Sequence, residues 1–499
     1  MAKNLKIYSN SIHTGRLEAN DLTFYLARDE ETGERVVGVR DPSDAAQLPF
    51  TQLLFSQDGD QYFAPNPENA AILRQIIPWL NPAPMGAGEG GVEVPSFGFG
   101  DRLGLATPGH IHALRAVSSA GEIYPILAQQ SVRENTRTGR TPQQVMDDAM
   151  WGVFQEGWQL PWGGDADHLK QESDLAAFVQ AGYTFFTVDP GEYVDLAADT
   201  DALQVLNDKI GAQPWNEIGE IPIRQGELVD LYLTFCSAAG WPCDQSAVRQ
   251  GSLRAFAKYG RAVIQITKMY RALKQLMPGS FDFEVSVDET ETPTSLLEHF
   301  YIAGELKRLG VRFNSLAPRF PGRFEKGVDY IGDLVALEPE LARHAAVMRH
   351  FGGYRLSLHS GSDKFSVYPL LMRHAGRSVH VKTAGTSYLE ALRVEASLAP
   401  GLFRQALTLA RQRYATDRLT YHVSADEARL PDPQSLADSA LPGLLDDFHV
   451  RQALHVTFGS ALANFGEELK HMLKTHPADY DQALLKHFIR HLEPLVPKA

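Results

Sequence analysis

Short apolar runs alternate with helical patterns along most of the chain. Runs rich in β-branched and aromatic residues predict eight strands, at residues 97–106, 123–130, 160–165, 184–189, 281–288, 311–317, 354–360 and 378–383. Between them, apolar residues recur at helical spacing behind start signals such as Thr141-Pro142 and Thr292-Pro293. Eight strands, each followed by a helix over about 300 residues, predict an α/β protein built on a (β/α)8 barrel.

Three segments depart from the barrel pattern. Residues 1–95 contain two β-rich runs joined by a polar connection around Gly33, which predicts an N-terminal segment with a β-hairpin. Within the barrel region, 96–399, residues 190–248 are too long for a plain loop and predict a subdomain inserted after the fourth strand. Residues 400–499 carry amphipathic patterns and predict a C-terminal helical extension.

The composition narrows the class of protein. The 499 residues carry 47 Lys plus Arg against 61 Asp plus Glu, a formal charge of −14, which disfavours nucleic acid or an anionic membrane as the main partner. No run of about 18 apolar residues predicts a membrane span, and the polar N-terminus lacks the pattern of a secretory signal. Cys236 and Cys243 match no zinc or redox motif, so we expect two reduced thiols in a cytoplasmic protein.

Polar residues collect where the predicted strands end, which is the active-site face of such barrels. An isolated Asp or His there is weak evidence for a catalytic site. Charged groups follow nearly every predicted strand, however, and burying so many of them without partners would cost free energy. The sequence therefore predicts a catalytic pocket with these candidate residues: Arg102, Gln130, Arg133, Asp167, His168, Asp189, Glu284, Asp288, His359, Ser360, Lys364 and Lys382.

His168 and His359 are the candidate metal ligands, because each follows a predicted strand and the two would converge from separate sectors of the rim. Two imidazoles and a carboxylate with open positions suit a catalytic divalent cation such as Zn, Mn, Co or Ni. Asp189 is the first choice for the third ligand, with Asp288 or Glu284 in reserve. The alternative is that both histidines orient loops without a metal.

Candidate acid–base groups adjoin the predicted metal ligands. Asp167, next to His168, is the candidate general base, and Glu284 or Asp288 is the complementary acid. Asp167 could instead cap a helix that begins near His168.

The turn from Ser360 to Lys364 resembles an anion-binding turn, because a Gly-containing loop before a helix exposes backbone N–H groups. With Arg102, Arg133 and Lys382 it would supply a local positive field for a substrate carboxylate or phosphate. The same turn could equally cap the seventh helix of the barrel.

Five long blocks of sequence resemble the tagaturonate epimerase family. They are GDRLGLATPGH (100–110), AQQSVRE (128–134), GDADHLK (164–170), SVDETETP (286–293) and HSGSDKF (359–365). The resemblance implies a divalent metal and the interconversion of D-tagaturonate and D-fructuronate, and for some relatives action on the neutral ketoses tagatose and fructose. It also implies Asp167 as the base and His168 and His359 as metal ligands.

The two keto acids differ at C4, whereas their carbonyl is at C2, so the ketone does not acidify the C4 hydrogen and simple enolisation would act at C3. We therefore expect a retro-aldol route, in which a metal holds the C2 and C3 oxygens while the C3–C4 bond breaks and re-forms on the other aldehyde face. Direct abstraction of the C4 hydrogen by an acid–base pair is the rival.

Two other functions remain open on the same barrel. One is a metal-dependent sugar-acid aldolase or ketose/aldose isomerase, and the other is a non-catalytic sugar-acid-binding protein. Each has a small keto-sugar or keto-sugar acid as its partner, and a homo-oligomer is compatible with all of them.

Overall fold

The computed structural model describes residues 3–17, 20–40, 42, 48–86, 94–118 and 121–496. The chain begins with an antiparallel sheet of six strands in the order β1-β3-β4-β6-β5, with β2 paired to β3. The bounds are β1 (Leu5–Ile7), β2 (His13–Leu17), β3 (Asn20–Asp29), β4 (Arg35–Arg40), β5 (Leu53–Gln57) and β6 (Asp60–Phe63), followed by helix α1 (Pro67–Ile76).

This sheet is larger than the predicted hairpin. The hairpin itself is present as β3 and β4, and Gly33 takes a φ of 75° in the turn between them. The sequence pattern did not predict β1 and β5, because they are short edge strands whose residues are mostly exposed. A strand without a buried face shows no alternation of apolar and polar residues.

Eight parallel strands close into a barrel in the order β10-β11-β12-β13-β14-β7-β8-β9. Their bounds are β7 (Ser96–Gly100), β8 (Tyr124–Ser131), β9 (Gly163–Leu169), β10 (Phe185–Val188), β11 (Asp282–Ser286), β12 (Ser315–Ala317), β13 (Arg355–Leu358) and β14 (Val379–Thr383). Each overlaps a predicted strand, so the (β/α)8 barrel is confirmed.

Helices cover the outside of the barrel. They are α2 (Thr107–Val117), α3 (Val132–Thr138), α4 (Pro142–Glu156), α5 (Glu172–Gln180), α6 (Leu203–Gly211), α7 (Gln225–Ala238), α8 (Gln245–Leu276), α9 (Leu296–Arg308), α10 (Leu334–Phe351), α11 (Tyr368–Ala375) and α12 (Thr386–Leu398). Thr141 caps α4 as predicted, but α9 begins later than Thr292-Pro293 because Ser295 Oγ accepts the Glu298 N–H at 3.3 Å.

The C-terminal region is helical, as predicted. It contains α13 (Pro400–Asp417), α14 (Phe448–Val456), α15 (Phe458–Thr475) and α16 (Pro477–Leu492). The Phe488 ring of α16 lies 5.3 Å from that of Phe99 in β7, so this region packs directly on the barrel. Among the described residues, no helix combines the length and apolar character needed to cross a membrane.

The two cysteines form a disulfide, contrary to the expectation of two reduced thiols. Cys236 lies in α7, and the chain turns back after the helix so that the Trp241 N–H donates to the Cys236 carbonyl at 2.9 Å. This turn leaves the two Cα atoms 6.4 Å apart. Sequence spacing alone did not show that the turn closes in this way.

Candidate active site

Strand β9 is longer at its C-terminal end than the sequence predicted, and the additional residues include polar groups of the site. The predicted strand ended at residue 165, whereas β9 continues to Leu169 and includes Asp165 and Asp167. Because side chains alternate along a strand, these two carboxylates lie on one face. His168 takes a φ of 55°, a left-handed conformation that is uncommon for a non-glycine residue and typical of functional sites.

Lys382 of β14 holds three carboxylates together inside the barrel. Its Nζ lies 2.7 Å from Asp165 Oδ2 and 2.8 Å from both Asp167 Oδ1 and Glu284 Oε1, and it also donates to Thr187 Oγ1. Burial lowers the pKa of the Lys382 ammonium, but the surrounding carboxylates outweigh burial and raise it. Lys382 is therefore a fixed cation at the centre of the acidic group.

Each candidate metal ligand has one ring nitrogen bound to a buried carboxylate. His168 Nδ1 lies 2.8 Å from Asp167 Oδ1, and His359 Nε2 lies 2.5 Å from Glu284 Oε1. The other two nitrogens face Asp288, whose Oδ1 is 3.1 Å from His359 Nδ1 and 3.9 Å from His168 Nε2. The two imidazole centroids are 5.1 Å apart.

This set of donors fits a divalent cation. His168 Nε2 is buried and has no hydrogen-bond partner among the described atoms. Burial lowers the pKa of both imidazoles, but nearby carboxylates outweigh it and raise the pKa to about 9 for His168 and about 10 for His359. A field that retains protons here also attracts a metal ion, and a carboxylate on the far nitrogen is the usual support of a metal-bound histidine.

Asp189, the first choice for the third ligand, lies in a different group. A carboxylate oxygen of Asp189 lies within 4.8 Å of possible ligand atoms of His168 and Glu289, whereas one of Asp288 lies within 4.8 Å of such atoms of His168 and His359. Asp189 Oδ1 accepts the Gly191 N–H at 2.8 Å, and burial raises the pKa of its carboxyl. The geometry therefore favours the reserve choice, Asp288, as the partner of the two histidines.

Two cavities adjoin these groups. The larger, of about 340 Å³, is lined by Asp288 and His359 among others, and the smaller, of about 260 Å³, by His168 and Asp189 among others. Glu289 lines both cavities. A small ligand in the larger cavity would thus lie against His359 and Asp288, whereas His168 faces the smaller cavity.

A protein-family model described as tagaturonate epimerase matches residues 8–495. The chain belongs to the tagaturonate epimerase family. A tagaturonate/fructuronate epimerase of Thermotoga maritima is 42% identical over 485 residues, which cover 96% of this chain and 95% of the relative. As a member of this family the chain is an epimerase, an enzyme of the isomerase class.

Two crystal structures from Cohnella laeviribosi, both of a fructuronate-tagaturonate epimerase, share the fold over nearly the whole chain. The complex with one glycerol has a TM-score of 0.85 at 33% identity, covering 98% of this chain and 96% of the other. The native structure has a TM-score of 0.84 at 32% identity, covering 99% of this chain and 96% of the other. The barrel and its additions are thus shared with this epimerase of Cohnella laeviribosi.

Arg133 is one of the candidate substrate-binding residues that line the cavities of this epimerase. Its Nη2 lies 3.3 Å from Glu289 Oε1, its guanidinium lies 5.0 Å from the Tyr421 ring centroid, and its Nε is buried without a hydrogen-bond partner. Ser360, with a φ of 49°, lines the larger cavity. Contact of these two residues with substrate stays a prediction.

Other candidate substrate-binding side chains are engaged within the protein. Arg102 is buried, with Nη2 2.9 Å from Glu134 Oε1 and its guanidinium 3.6 Å from the Phe458 ring centroid. Gln130 Oε1 accepts from Arg140 Nη1 at 3.1 Å, although Gln130 Nε2 lacks a partner among the described atoms.

The turn between Ser360 and Lys364 also points its donors into the protein. Lys364 Nζ donates to three backbone carbonyls, those of Glu325, Val328 and Ser362. The N–H groups of Gly361 and Asp363 donate to the Lys382 carbonyl and to His491 Nε2 at 2.8 and 3.0 Å. Helix α11 begins only at Tyr368, so these residues form a separate, internally bonded turn.

A third group with metal-ligand residues, Asp363, His487 and His491, is closed by hydrogen bonds. His487 Nε2 lies 2.7 Å from Asp363 Oδ1, and Arg451 Nη2 lies 3.0 Å from Asp363 Oδ2. His491 Nε2 accepts the Asp363 N–H, so its lone pair is used. This group joins α16 to the barrel rather than offering open ligand atoms.

Sequence reasoning did not select Glu289, Arg319, Lys326 or Tyr421 as candidate site residues, although all four line the larger cavity. Glu289 directly follows Asp288 in one of the family-like blocks, which could have indicated it. Lys326 lies in a loop with four other cavity residues of basic or aromatic type, Arg319, Phe320, Arg323 and Phe324, but no motif marked that loop. Tyr421 is far away in sequence, and only the folded chain brings it to the barrel.

Proposed function

We propose that this epimerase interconverts D-tagaturonate and D-fructuronate at C4 and uses a divalent cation bound by His168, His359 and Asp288. The observation that carries the proposal is the pair of carboxylate-supported imidazoles whose other ring nitrogens face Asp288 beside a cavity of about 340 Å³. The relative from Thermotoga maritima, named for the same two sugar acids, supports the choice of substrate.

The bound cation would act as a Lewis acid on the substrate carbonyl. Asp167 and Glu284 hold the two imidazoles in the orientation that this requires. Lys382 balances the charge of these carboxylates, which would otherwise repel each other in a buried site. In this proposal Asp167, Glu284 and Lys382 are therefore positioning residues.

Glu289 takes the proton of the C4 hydroxyl in our proposal. Burial raises the pKa of its carboxyl, but His168 and Arg133 outweigh burial and lower it, which keeps Glu289 ionised and able to accept a proton. Asp167, the candidate from sequence, has its Oδ1 bonded to both Lys382 Nζ and His168 Nδ1. Glu289 lines both cavities and has greater access to a ligand.

The proposed reaction breaks and re-forms one carbon–carbon bond. Glu289 removes the C4 hydroxyl proton, the C4–O bond becomes a carbonyl, and the C3–C4 electron pair passes to an enediolate. The aldehyde then turns its other face to C3, the bond re-forms, and Glu289 returns the proton. Atoms and charge balance without an external oxidant or reductant.

Turnover in deuterium oxide tests this route against direct abstraction of the C4 hydrogen. The C4–H bond survives the retro-aldol route, so we expect no deuterium at C4 of the product by NMR. Substantial incorporation at C4 would show that the rival mechanism operates. Release of three-carbon products would instead indicate an aldolase.

Elemental analysis of purified protein, with assays before and after chelation, tests the metal. We expect His168→Ala and His359→Ala each to lose bound metal and epimerase activity together, while His471→Ala, at an exposed position on α15, keeps both. Asp288→Asn should weaken metal retention more than Asp189→Asn. Full activity in metal-free His359→Ala protein would refute the site.

A further inference from the structure

Two cations of the loop between β12 and α10 line the larger cavity without a carboxylate partner. Among the described residues, Arg319 has no ion pair, and its side chain donates only to the Asp288 carbonyl, at 3.4 Å. Lys326 is half-buried and has neither an ion pair nor a hydrogen bond to the described part of the chain. Partly buried charges that lack a protein partner are suited to an ionic ligand.

The other Lys and Arg residues that line this cavity, among the described residues, have carboxylate partners. Arg133 pairs with Glu289 at 3.3 Å, and Arg323 lies 3.6 Å from Glu325 Oε1. The positive charge still available to a ligand is therefore that of Arg319 and Lys326.

The loop that presents these two cations is fixed from both sides. From the barrel, Lys364 Nζ donates to the Glu325 and Val328 carbonyls. From the C-terminal region, Arg451 Nε donates to the Gly327 carbonyl at 2.7 Å. Lys326 lies between these anchor points, so little backbone entropy remains to be lost when an anion binds.

We propose that Arg319 and Lys326 bind the C6 carboxylate of the sugar acid while its carbonyl end lies against His359 and Asp288. This inference rests on the proposed function and deepens it, because it assigns the residues that distinguish a hexuronate from a neutral ketohexose. Arg319 and Lys326 line the same cavity as His359 and Asp288. The two ends of one six-carbon sugar acid could therefore contact these two pairs of residues. Cations at this point would also offset the protein's formal charge of −14, which disfavours an anionic ligand.

The test compares steady-state kinetics of Lys326→Met and Arg319→Met with the wild-type epimerase on D-tagaturonate. We expect KM to rise roughly 10- to 100-fold in each variant, with kcat changed by less than about threefold, because a charge-assisted contact remote from C4 is lost. Lys326→Arg should restore most of the affinity. Lys486→Met, an exposed residue on α16, removes the same charge elsewhere and should leave KM unchanged.

Ionic strength gives a second readout that loss of local packing would not reproduce. The KM of the wild type should rise with added salt, and this dependence should be weaker in Lys326→Met. If the wild type epimerises tagaturonate but both Met variants keep its KM and salt dependence, the carboxylate site is wrong and the proposed function stands. If the metal-replete wild type does not epimerise tagaturonate, the proposed function itself fails.

Discussion

Three carboxylates share one ammonium group in the barrel, since Lys382 Nζ lies within 2.8 Å of Asp165, Asp167 and Glu284. Removing that group in Lys382→Met leaves buried Asp165 without its cation and takes one of two cations away from Asp167 and Glu284, which keep His168 and His359. We expect a loss of roughly 3–5 kcal/mol in the free energy of unfolding, measured by urea denaturation.

The double variant Lys382→Met/Asp165→Asn tests whether charge is the cause. Burial raises the pKa of Asp165 to about 7, so this carboxylate is the one whose charge is least favourable, and its removal should recover part of the loss. Equal stability of the single and double variants would show that lost packing, and not unbalanced charge, destabilises the protein.

Substitution of Glu289 tests its proposed role as the proton acceptor in catalysis. Glu289→Gln removes the proposed proton acceptor but keeps the shape of the side chain, so kcat should fall by roughly 10²- to 10⁴-fold. Metal content should stay at the wild-type level, which separates this variant from Asp288→Asn. Glu291→Gln, at an exposed position two residues further on, is the matched control and should keep its activity.

Individual residues were predictable from the sequence where strand position alone brings them together. Asp167, His168, Glu284 and His359 meet because each belongs to a strand or strand end of a closed barrel. The choice among Asp189, Asp288 and Glu284 was not predictable, because it depends on distances of a few ångströms. Lys364 looked available to a ligand, and only the structure shows its bonds to backbone carbonyls.

At the scale of elements, one carboxylate joins the β12–α10 loop to the C-terminal region. Glu325 Oε2 accepts from Ser424 N at 2.9 Å, from Ser424 Oγ at 2.8 Å and from Gln452 Nε2 at 2.8 Å, and Glu325 is 4% exposed. The chain segment 420–424, which ends at Ser424, forms a wall of the larger cavity. This contact therefore links the C-terminal region to the cavity that we propose binds substrate.

Glu325→Ala should loosen that wall and leave three donors without an acceptor. We expect KM for tagaturonate to rise and the free energy of unfolding to fall by roughly 1–3 kcal/mol. Glu427→Ala, an exposed acid in the same region, should change neither. An unchanged KM in a destabilised Glu325→Ala protein would confine the contact to a structural role.

The elements that the sequence predicted are those with a buried face. The barrel strands carry apolar side chains toward the helices, and that pattern survives in the sequence even where bounds shift, as in β9. The β9 boundary was wrong because Asp167 and His168 read as polar residues beyond the strand end, although a barrel interior with Lys382 accommodates the Asp167 carboxylate. The division of the chain at residues 95 and 400 stays a prediction.

The formal charge of −14 is that of the whole molecule, and it does not describe the local charge at the site. Most cations predicted to form a positive pocket are bonded within the protein, and the available ones, Arg319 and Lys326, lie in a loop that no sequence motif marked. The pocket also requires residues from the C-terminal region, such as Tyr421. The proposed site thus depends on contacts between segments far apart in sequence.

The pH dependence of global stability provides a last prediction, centred on Glu395 of α12. This carboxyl is 1% exposed, and its Oε2 has no hydrogen-bond partner among the described atoms. Burial raises the pKa of Glu395 from 4.5 to about 8. Between these two values the folded state binds more protons than the unfolded state, so stability is lost as pH rises, by at most roughly 1.4 kcal/mol per pH unit from this group.

Glu395→Gln removes this titration because the amide is neutral at every pH. The melting temperature of the variant should match that of the wild type near pH 4.5 and exceed it increasingly up to pH 8, measured by scanning calorimetry in buffers of constant ionic strength. Glu468→Gln, at an exposed position on α15, should show no such trend and corrects for the loss of one negative charge. A difference between Glu395→Gln and wild type that stays constant from pH 4.5 to 8 would show that Glu395 is not protonated in the folded protein, and that a cation or water molecule compensates its charge.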